Sequence, residues 1–422
     1  MTTKQGVEMK KKIAVVALTG ILAAGPAFAS GYRIPEQSLN ATALSGAYAA
    51  NTPAADASYY NPANMSWLEN KWQTDASLTW IHLASVEYTD NAVASYNSGS
   101  RTEDFALPNL HVVSPEYNNF RFGLSVVYPY GLSKRWDNAF PKTSAEEFTL
   151  KTYEINPTVS YKIGDTLSIG GGVRAMYAEG VVKSRGTIAG PTTISRDMSG
   201  DTTEYGYNLA LTYRPVENLS LAATYRSKID LDIEGDARLA SSINGASYSG
   251  GTSVSVPAPA VLTLATAYTC NGGKTTAEFT YDKTFWNAYD KLDFNYNSTV
   301  VDGLGVLQAA FDNPKAKNWV NSEAFRLGLT HRLNTQWTIM AGFAIDKNPV
   351  PDQTLGFELP DSDAKIYSCG LRYQPTDTLT VGAAYLFDDK ESRTVPANAN
   401  GVNGTFDNSA AHLVTAGLQY RF

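Results

Sequence analysis

The sequence predicts an all-β fold, a transmembrane antiparallel β-barrel of about 14 strands with an N-terminal plug, or hatch, inside its lumen. Three observations lead to this prediction. From about Trp72 onward, segments of about ten residues alternate between apolar and polar positions, as strands do when one face meets lipid and the other a lumen. Short turns between these segments alternate with long polar loops. The chain also contains 25 Tyr residues, whose rings favour membrane interfaces.

The N-terminus has the pattern of an export signal. Lysines 10–12 precede an apolar run from Ile13 to Ala24, and small residues up to Ala29 suit a signal peptidase. The run is shorter than the ~20 apolar residues of a transmembrane helix. We therefore predict that residues 1–29 are a cleaved signal peptide. Cleavage removes four Lys and one Glu, which changes the formal net charge from −7 to −10. This charge argues against a nucleic-acid partner.

The connections between the predicted strands alternate in length. Short turns are predicted at residues 117–119, 164–165, 215–218, 271–274, 334–336 and 375–378. Long polar loops are predicted at about residues 89–104, 131–147, 184–200, 236–256, 291–320, 347–363 and 392–408. This pattern predicts an even number of strands with both chain ends on the short-turn, periplasmic side. A secreted β-sandwich or propeller would also alternate, but it has no reason to keep the turns short on one side.

Aromatic residues at the predicted strand ends indicate two interfacial girdles. They are Trp72, Tyr88, Tyr128, Tyr130, Trp136, Tyr225, Tyr268, Phe285, Trp286, Trp337, Tyr373 and Tyr385. The last predicted strand ends at Phe422, and this ending resembles the signal by which the barrel-assembly machinery recognises outer-membrane barrels. We therefore expect the protein in the outer membrane of a Gram-negative bacterium, in contact with outer-membrane lipid and lipopolysaccharide.

The segment between the signal and the first strand does not alternate. Residues 30–70 are rich in Ala, Ser, Asn and Gly, which suits either a disordered tail or a compact plug. We predict a hatch over residues 30–70 and a barrel over residues 71–422. Within the hatch, Pro62 fixes its own φ and favours extended geometry at Asn61. The Asn61-Pro62-Ala63 bend either moves or holds in place a plug whose mobile end is Ser30–Ile34.

Motifs in this order resemble the FadL/TodX family of outer-membrane transporters of hydrophobic compounds. The matching residues are Ser30-Gly31-Tyr32-Arg33-Ile34, Ser45-Gly46-Ala47-Tyr48, Ala55-Asp56, Tyr60-Asn61-Pro62-Ala63, Pro108-Asn109-Leu110-His111, Tyr130-Gly131-Leu132, a glycine-rich fifth strand through Tyr177-Ala178, and Phe422. The resemblance covers essentially the whole mature chain.

The resemblance implies a monomer that needs no cofactor and carries a hydrophobic small molecule by passive, ligand-gated diffusion. In the family, substrate binds at extracellular loops, moves to a site inside the barrel and provokes a shift of the N-terminus. A kink in the third strand then lets substrate leave sideways into the membrane. The gating residues implied here are Ser30, Gly31, Tyr32, Asn61, Pro62 and Ala63.

The third predicted strand ends with two residues that disturb a β-ladder. Pro129 cannot donate a ladder hydrogen bond, and Gly131 permits a bend or bulge. Gly131 also matches the glycine associated with the family kink. These residues either form a lateral opening or simply terminate the strand at a loop.

Strand alternation predicts a lumenal set of charged and polar residues, with Met176 among them. This set comprises Glu154, Asn156, Arg174, Arg226, Lys228, Glu278, Asp282, Arg326, Arg372, Asp388 and Lys390. A substrate carboxylate needs a cation beside an apolar channel, so Arg174, Arg226 and Arg372 are candidates. Alternatively, these cations only pair with lumenal Glu and Asp residues. The resemblance adds a ligand-contacting cation near the outer end of strand five, which makes Lys183 and Arg185 further lumenal ligand candidates.

Catalytic and metal-binding patterns are missing from the sequence. The four His residues are isolated, no Gly-x-Ser-x-Gly motif occurs, and the two Cys residues have no zinc-type spacing. We therefore predict no enzyme activity and no metal site. A general diffusion porin or a surface adhesin is the alternative function, although a porin would normally lack a plug. The substrate stays open among long-chain fatty acids, aromatic hydrocarbons and alkanes.

Overall fold

The computed structural model describes residues 31–243, 245–297 and 305–422. The predicted signal peptide and Ser30 lie outside these residues. Within them, 14 antiparallel strands close into a barrel, because the last strand pairs with the first. The strands are β1 (Gln73–Leu83), β2 (Glu103–Val113), β3a (Phe120–Val127), β3b (Gly131–Arg135), β4 (Glu147–Ile163), β5 (Leu167–Ala189), β6 (Thr192–Val216), β7a (Leu219–Arg226), β7b (Ile229–Ser241), β8a (Ser247–Ala258), β8b (Val261–Cys270), β9 (Thr275–Thr284), β10 (Ser322–Arg332), β11 (Trp337–Asp346), β12 (Ala364–Tyr373), β13 (Leu379–Lys390) and β14 (Ala410–Arg421).

Shorter elements lie in the hatch and in the loops. The hatch contains α1 (Leu39–Ala43), α2 (Ala57–Tyr60) and a 3-10 helix at Pro62–Trp67. The loops contain α3 (Ala139–Ala145), α4 (Val306–Phe311), 3-10 helices at Ala94–Tyr96 and Trp286–Ala288, and short strands at Glu87–Asp90, Ser98–Gly99, Lys291–Leu292, Phe294–Tyr296, Lys315–Ala316, Arg393–Val395 and Gly404–Asp407. No helix in the described part of the chain is long and apolar enough to cross a membrane.

All six predicted short turns connect adjacent strands. Two of the predicted long loops are wrong. Residues 184–200 form a hairpin, in which β5 and β6 stay paired almost to their ends. Residues 236–256 belong to a second hairpin, in which β7b pairs with β8a as far as Ala240 and Ser247. Strands that extend beyond the membrane need no apolar outer face, so their polar composition made them look like loops.

The barrel wall has the alternation expected of a lipid-facing sheet. On β5, Val173 is 56% exposed on the outer face, whereas the neighbouring Arg174 is fully buried in the lumen. The predicted lumenal position of Lys228 is wrong, because β7 is interrupted after Arg226 and its alternation shifts by one residue. Beyond the interruption Ile229 and Leu231 face inward, and Lys228 is exposed.

The hatch fills the lumen, as predicted for a plug. Ser38 caps α1 by accepting a hydrogen bond from the backbone N–H of Ala41, and every residue of α1 is buried. Small residues allow this packing. Ala43 lies against Gly370 on β12, where even a methyl group on the glycine would overlap the alanine side chain. The alanine-rich composition of the hatch therefore lets its helix approach the wall closely.

The aromatic girdles are only partly confirmed. Trp72 and Tyr268 are exposed at strand ends, as expected of interfacial residues. In contrast, four of the predicted girdle residues are buried among the extracellular loops and the hatch: Tyr88, Tyr130, Trp136 and Trp286. Trp136 and Trp286 lie just beyond the ends of β3b and β9, whereas Tyr88 lies in a loop strand and Tyr130 lies between β3a and β3b. All four are buried in a core that strand alternation does not predict.

Candidate functional site

The candidate site is an interruption in the third strand. Between β3a and β3b, residues Tyr128–Tyr130 leave the ladder, although both halves of the strand remain paired with β4. Pro129 lies in the middle of the interruption, where its missing N–H removes a ladder donor. The strand therefore continues beyond Pro129 and does not terminate there.

The backbone groups released by the interruption have new partners. The side chain of Gln37 accepts from the N–H of Tyr128 at 2.7 Å and donates to its carbonyl oxygen at 2.9 Å. The hydroxyl of Thr152 accepts from the N–H of Tyr130 at 3.1 Å and donates to its carbonyl oxygen at 2.7 Å. A break within a membrane wall is tolerated only when its polar groups are satisfied in this way.

The first residues of the hatch complete the interrupted strand. The N–H of Ile34 donates to the carbonyl oxygen of Pro129 at 2.9 Å, and the N–H of Gly131 donates to the carbonyl oxygen of Tyr32 at 3.0 Å. Arg33 and Tyr130 form an isolated β-bridge. The N-terminal hatch segment, residues 31–34, therefore acts as a short extra strand on the inner side of the break.

The β-ladder between β2 and β3 is incomplete beside this break. β1 pairs with β2 along its whole length from Glu103 to Val113. β3a pairs with β2 only from Leu110 to Val113, and β3b is not paired with β2. The outer part of β2 therefore lacks a neighbour on one side over Leu107 and the residues around it.

A cavity of about 490 Å³ lies behind this part of the wall, and we call it the gap cavity. Its lining includes Phe105 and Leu107 of β2, Leu132 of β3b and the hatch residues 33–36. Tyr153, which is 43% exposed on the outer face of β4, also lines it. Because inner-face and outer-face residues line the same space, the gap cavity reaches across the barrel wall.

A second, smaller cavity of about 70 Å³ lies toward the extracellular loops, and we call it the upper cavity. Its apolar lining includes Tyr289, Trp319 and Val350 from the loops. Leu132 and Leu150 line both cavities. The two cavities therefore adjoin at these side chains.

Two tyrosines connect this region with an interruption in β8. The hydroxyl of Tyr32 donates to the carbonyl oxygen of Pro257 at 2.6 Å, and the hydroxyl of Tyr130 donates to that of Pro259 at 3.0 Å. Burial, with smaller contributions from neighbouring tyrosines, raises the pKa of Tyr32, which keeps its hydroxyl protonated as a donor. The ring of Tyr32 also meets that of Trp286 edge to face at 4.5 Å.

The family can now be assigned. A family model described as "Outer membrane protein transport protein (OMPP1/FadL/TodX)" matches residues 20–422. The chain belongs to this family. Membership establishes a FadL/TodX-type transporter of hydrophobic compounds in the Gram-negative outer membrane, and it confirms that the protein is not an enzyme.

Individual proteins agree with this assignment. A long-chain fatty acid transport protein from Salmonella typhi is 25% identical over 317 residues, which are 66% of this chain and 69% of that protein. The crystal structure of a Pseudomonas aeruginosa FadL homologue has a TM-score of 0.79 at 20% identity, and the match covers 93% of this chain and 100% of that one. The Pseudomonas putida toluene transporter TodX has a TM-score of 0.73 at 16% identity, with 91% and 98% covered. At these identities the solved structures support the fold alone.

In this FadL/TodX-family protein, the Asn61-Pro62-Ala63 motif lies against β5 and β6. Asn61 is extended, with φ −154° and ψ 90°, and its side chain caps the following 3-10 helix. Its amide donates to the carbonyl oxygen of Ala49 at 2.8 Å and to the hydroxyl of Thr212 at 2.9 Å. A Cβ atom on Gly170 would lie 2.6 Å from the nitrogen of Ala63, so the wall accommodates the motif closely. These contacts favour a holding role.

The three arginines predicted to bind substrate are engaged with protein groups. Arg174 pairs with Glu154 at 2.8 Å, and Arg226 pairs with the same carboxylate. Arg372 donates to the side chain of Asn40 in the hatch at 2.7 Å and lies 3.5 Å from Asp75. None of the three lines the gap cavity or the upper cavity as described. The geometry favours the alternative stated above, in which these cations pair with lumenal carboxylates.

The remaining ligand candidates lie on opposite faces of β5. Met176 is fully buried in the apolar cluster of the outer lumen. A lumenal position for Lys183 and Arg185 is wrong, because they share the outward phase of Val173 on β5. They pair at the surface with Glu147 at 3.2 Å and Glu146 at 3.8 Å.

Several residues of the site were not predicted from the sequence. Gln37 and Thr152 satisfy the break, and Glu278 on β9 holds the hatch backbone. Glu278 belonged to the predicted lumenal set, but without an assigned role. Gln37 and Thr152 carry no local pattern that sets them apart from surface residues, so only their three-dimensional partners identify them.

Proposed function

We propose that this protein takes up hydrophobic compounds by passive, ligand-gated diffusion and releases them sideways into the outer membrane between β2 and β3. The single observation that carries the proposal is the unpaired outer part of β2 beside the interrupted β3, with a cavity behind it that apolar and charged side chains line together. Relatives named for long-chain fatty acids and for toluene suggest the range of substrates.

Lateral release suits the physics of an apolar substrate. A water-filled pore would solvate such a molecule poorly, because exposing apolar surface costs about 25 cal/mol per Å². A wall opening lets the molecule pass from the cavity into lipid without full hydration. The concentration gradient and the free energy of partition into lipid are then sufficient to drive uptake.

The N-terminal hatch segment is placed to act as the gate. Gly31 and residues 33–36 line the gap cavity, so a ligand entering it contacts this segment. The segment is held at the β3 break by two backbone hydrogen bonds. Elsewhere it is held by the hydroxyl of Tyr32 on Pro257, by the N–H of Gly31 on Asp361 and by the ion pair of Arg33 with Asp282. Each such bond contributes about 1 kcal/mol net. Burial of a ligand's apolar surface can offset a loss of this size.

The expected partners of the protein form part of the same proposal. A barrel closed within one chain supports a monomer surrounded by outer-membrane lipid and lipopolysaccharide. Phe422 is 60% exposed and stacks on Trp72 at the periplasmic end. This exposure supports its role as the residue that the barrel-assembly machinery recognises.

The alternative of a general diffusion porin is less compatible with the hatch. Residues of α1, α2 and the following 3-10 helix are nearly all buried against the wall. An open aqueous pore would require this material to leave the lumen. No observation in the described part of the chain specifically favours a surface adhesin.

The lateral route is tested by restoring the third strand. The double substitution Pro129→Val and Gly131→Val supplies a donor and strand-favouring side chains. A Cβ at position 131 would lie 3.0 Å from the flexible end of Ile34 and 3.9 Å from the carbonyl oxygen of Leu150. We expect uptake of a radiolabelled hydrophobic compound by whole cells to fall to a small fraction of the wild-type rate.

The matched control is Pro157→Val, which replaces a proline in the uninterrupted strand β4. It should leave uptake unchanged. Heat-modifiable migration on gels checks that each barrel folds. Wild-type uptake by the folded double variant would refute release between β2 and β3.

A further inference from the structure

Two histidines that are far apart in the chain meet on the outer face of the barrel. His82 on β1 lies directly opposite His412 on β14, in the antiparallel ladder that closes the barrel. Both share the outward phase of Trp80 and Val414, which are exposed. Side chains directly opposite each other have Cβ atoms about 4.5–5.5 Å apart. The centroids of the two imidazole rings accordingly lie 6.1 Å apart.

A protein group engages the Nδ1 atom of each ring. Nδ1 of His82 lies 2.9 Å from a carboxylate oxygen of Asp104, which is directly opposite His82 on β2. Nδ1 of His412 lies 2.8 Å from the hydroxyl oxygen of Tyr385 on β13. In the part of the chain that the structure describes, no hydrogen bond engages the Nε2 atom of either ring. A proton on each Nδ1 therefore leaves the lone pair of each Nε2 free.

This arrangement has the geometry of a transition-metal site. A metal-binding histidine usually donates its other ring N–H to a carboxylate or another acceptor, as Nδ1 of His82 can to Asp104. With metal–nitrogen bonds of about 2.1 Å, the centroids of two imidazoles on one ion lie roughly 5–6 Å apart. The observed separation of 6.1 Å agrees with this range.

The two histidines lie where ions from outside the cell can reach them. His82 is the last residue but one of β1, at its extracellular end, and His412 is the third residue of β14 at the same end. The side chain of His82 is 32% exposed. Since the lipid-facing wall ends here, an ion reaches the rings without crossing the hydrocarbon region.

We propose that His82 and His412 together bind one divalent transition metal, Zn²⁺ or Cu²⁺. Imidazole nitrogen is a suitable ligand for both ions. Among the described residues, no group of three or more His, Cys, Asp or Glu side chains could hold an ion, so this site has two protein ligands and leaves its other positions to water. Because β1 and β14 are the first and last strands, the ion joins the two edges whose pairing closes the barrel.

The test uses the purified full-length protein, without a polyhistidine tag, in lipid nanodiscs. The electron paramagnetic resonance spectrum of bound Cu²⁺ should show two nitrogen ligands, and calorimetry gives the affinity for Zn²⁺. His82→Gln and His412→Gln should each remove one nitrogen and weaken Zn²⁺ binding by more than about 10-fold. Asp104→Asn keeps both imidazoles but loses the charged acceptor, and it should weaken binding by about 10-fold.

His331→Gln is the matched control. It removes a partly buried histidine on β10, whose Nδ1 lies 2.8 Å from the hydroxyl oxygen of Thr275, and it should leave Zn²⁺ binding unchanged. Heat-modifiable migration on gels checks that each variant is folded. A wild-type spectrum with fewer than two nitrogens would overturn the site, as would wild-type affinity in His82→Gln or an equal loss in His331→Gln.

The effect on the closure of the barrel is measured separately. A ligand that binds only the folded state stabilises it, so Zn²⁺ should raise the temperature at which the folded band of wild type converts to the unfolded band. The same concentration of Zn²⁺ should not raise this temperature in His412→Gln. Binding of Zn²⁺ to wild type without any rise would overturn the conclusion that the ion joins β1 to β14.

Discussion

Glu278, midway along β9, accepts a 2.5 Å hydrogen bond from the backbone N–H of Ala49 in the hatch. The same carboxylate also accepts from the N–H groups of Ala50 at 2.7 Å and Asn51 at 3.0 Å. Three consecutive N–H donors thus converge on the carboxyl group of one wall residue. This cluster joins the middle of the hatch to the barrel.

Replacing Glu278 should loosen the hatch. In Glu278→Gln the side chain keeps one acceptor oxygen but turns an NH₂ group toward backbone donors, so we expect hatch docking to weaken by about 2–4 kcal/mol. Single-channel recordings in planar bilayers should then show open events that are rare in wild type. Glu234→Gln, on the exposed face of β7b, is the control. A variant as silent as wild type would contradict this role.

The Asn61-Pro62-Ala63 motif gives a second prediction. Asn61→Ala removes the hydrogen bonds to Ala49 and Thr212 and the cap on the N–H of Ala63, which should destabilise hatch docking by about 1–3 kcal/mol.

Deletion of residues 61–63 should impair hydrophobic uptake while the barrel remains folded and heat-modifiable. Hydrogen exchange of the hatch and whole-cell uptake measure the two effects. Asn91→Ala in an exposed loop should affect neither, and normal uptake by the deletion variant would exclude a role for the motif.

Glu36 in the hatch makes docking depend on pH. Burial raises the pKa of Glu36 to about 7; Arg326 opposes the shift, and Asp388 and Asp346 add to it. The docked hatch therefore binds this proton more tightly than the undocked hatch. Docking is strongest below the ordinary carboxyl pKa of 4.5 and weakens as the pH rises toward about 7.

Channel recordings at pH 5 and pH 8 check this dependence. We expect the channel to open more often at pH 8, because the pKa of Glu36 in the docked hatch is about 7 and its carboxyl is then ionised. Glu36→Gln cannot ionise and should respond much less to pH. If the glutamine variant kept the full response, another group would be responsible.

Some parts of the site were predictable from local sequence. Pro129 and Gly131 indicated a disturbed third strand because both residues act on their own backbone, and the disturbance is there. The interruptions in β7 and β8 were not predicted. Residues 227–228 carry no proline or glycine, and Pro257 and Pro259 could equally have marked the end of a loop.

For the lumenal arginines, the sequence predicted the position but not the ion-pair partner. Alternation placed Arg174 and Arg226 inside the barrel correctly, since side-chain direction follows from strand period. It could not tell that both would pair with Glu154, which lies 20 residues from one and 72 from the other along the chain.

The sequence by itself determined the barrel, its strand number, its short-turn side and the presence of a plug, because alternation, turn residues and composition are local properties. The tertiary structure alone decided that residues 31–34 pair with the β3 break and that Glu278 holds the hatch. These relationships join residues about 100 to 230 positions apart in the chain. Closure of the barrel brings them together, and no local pattern encodes which distant side chains will meet.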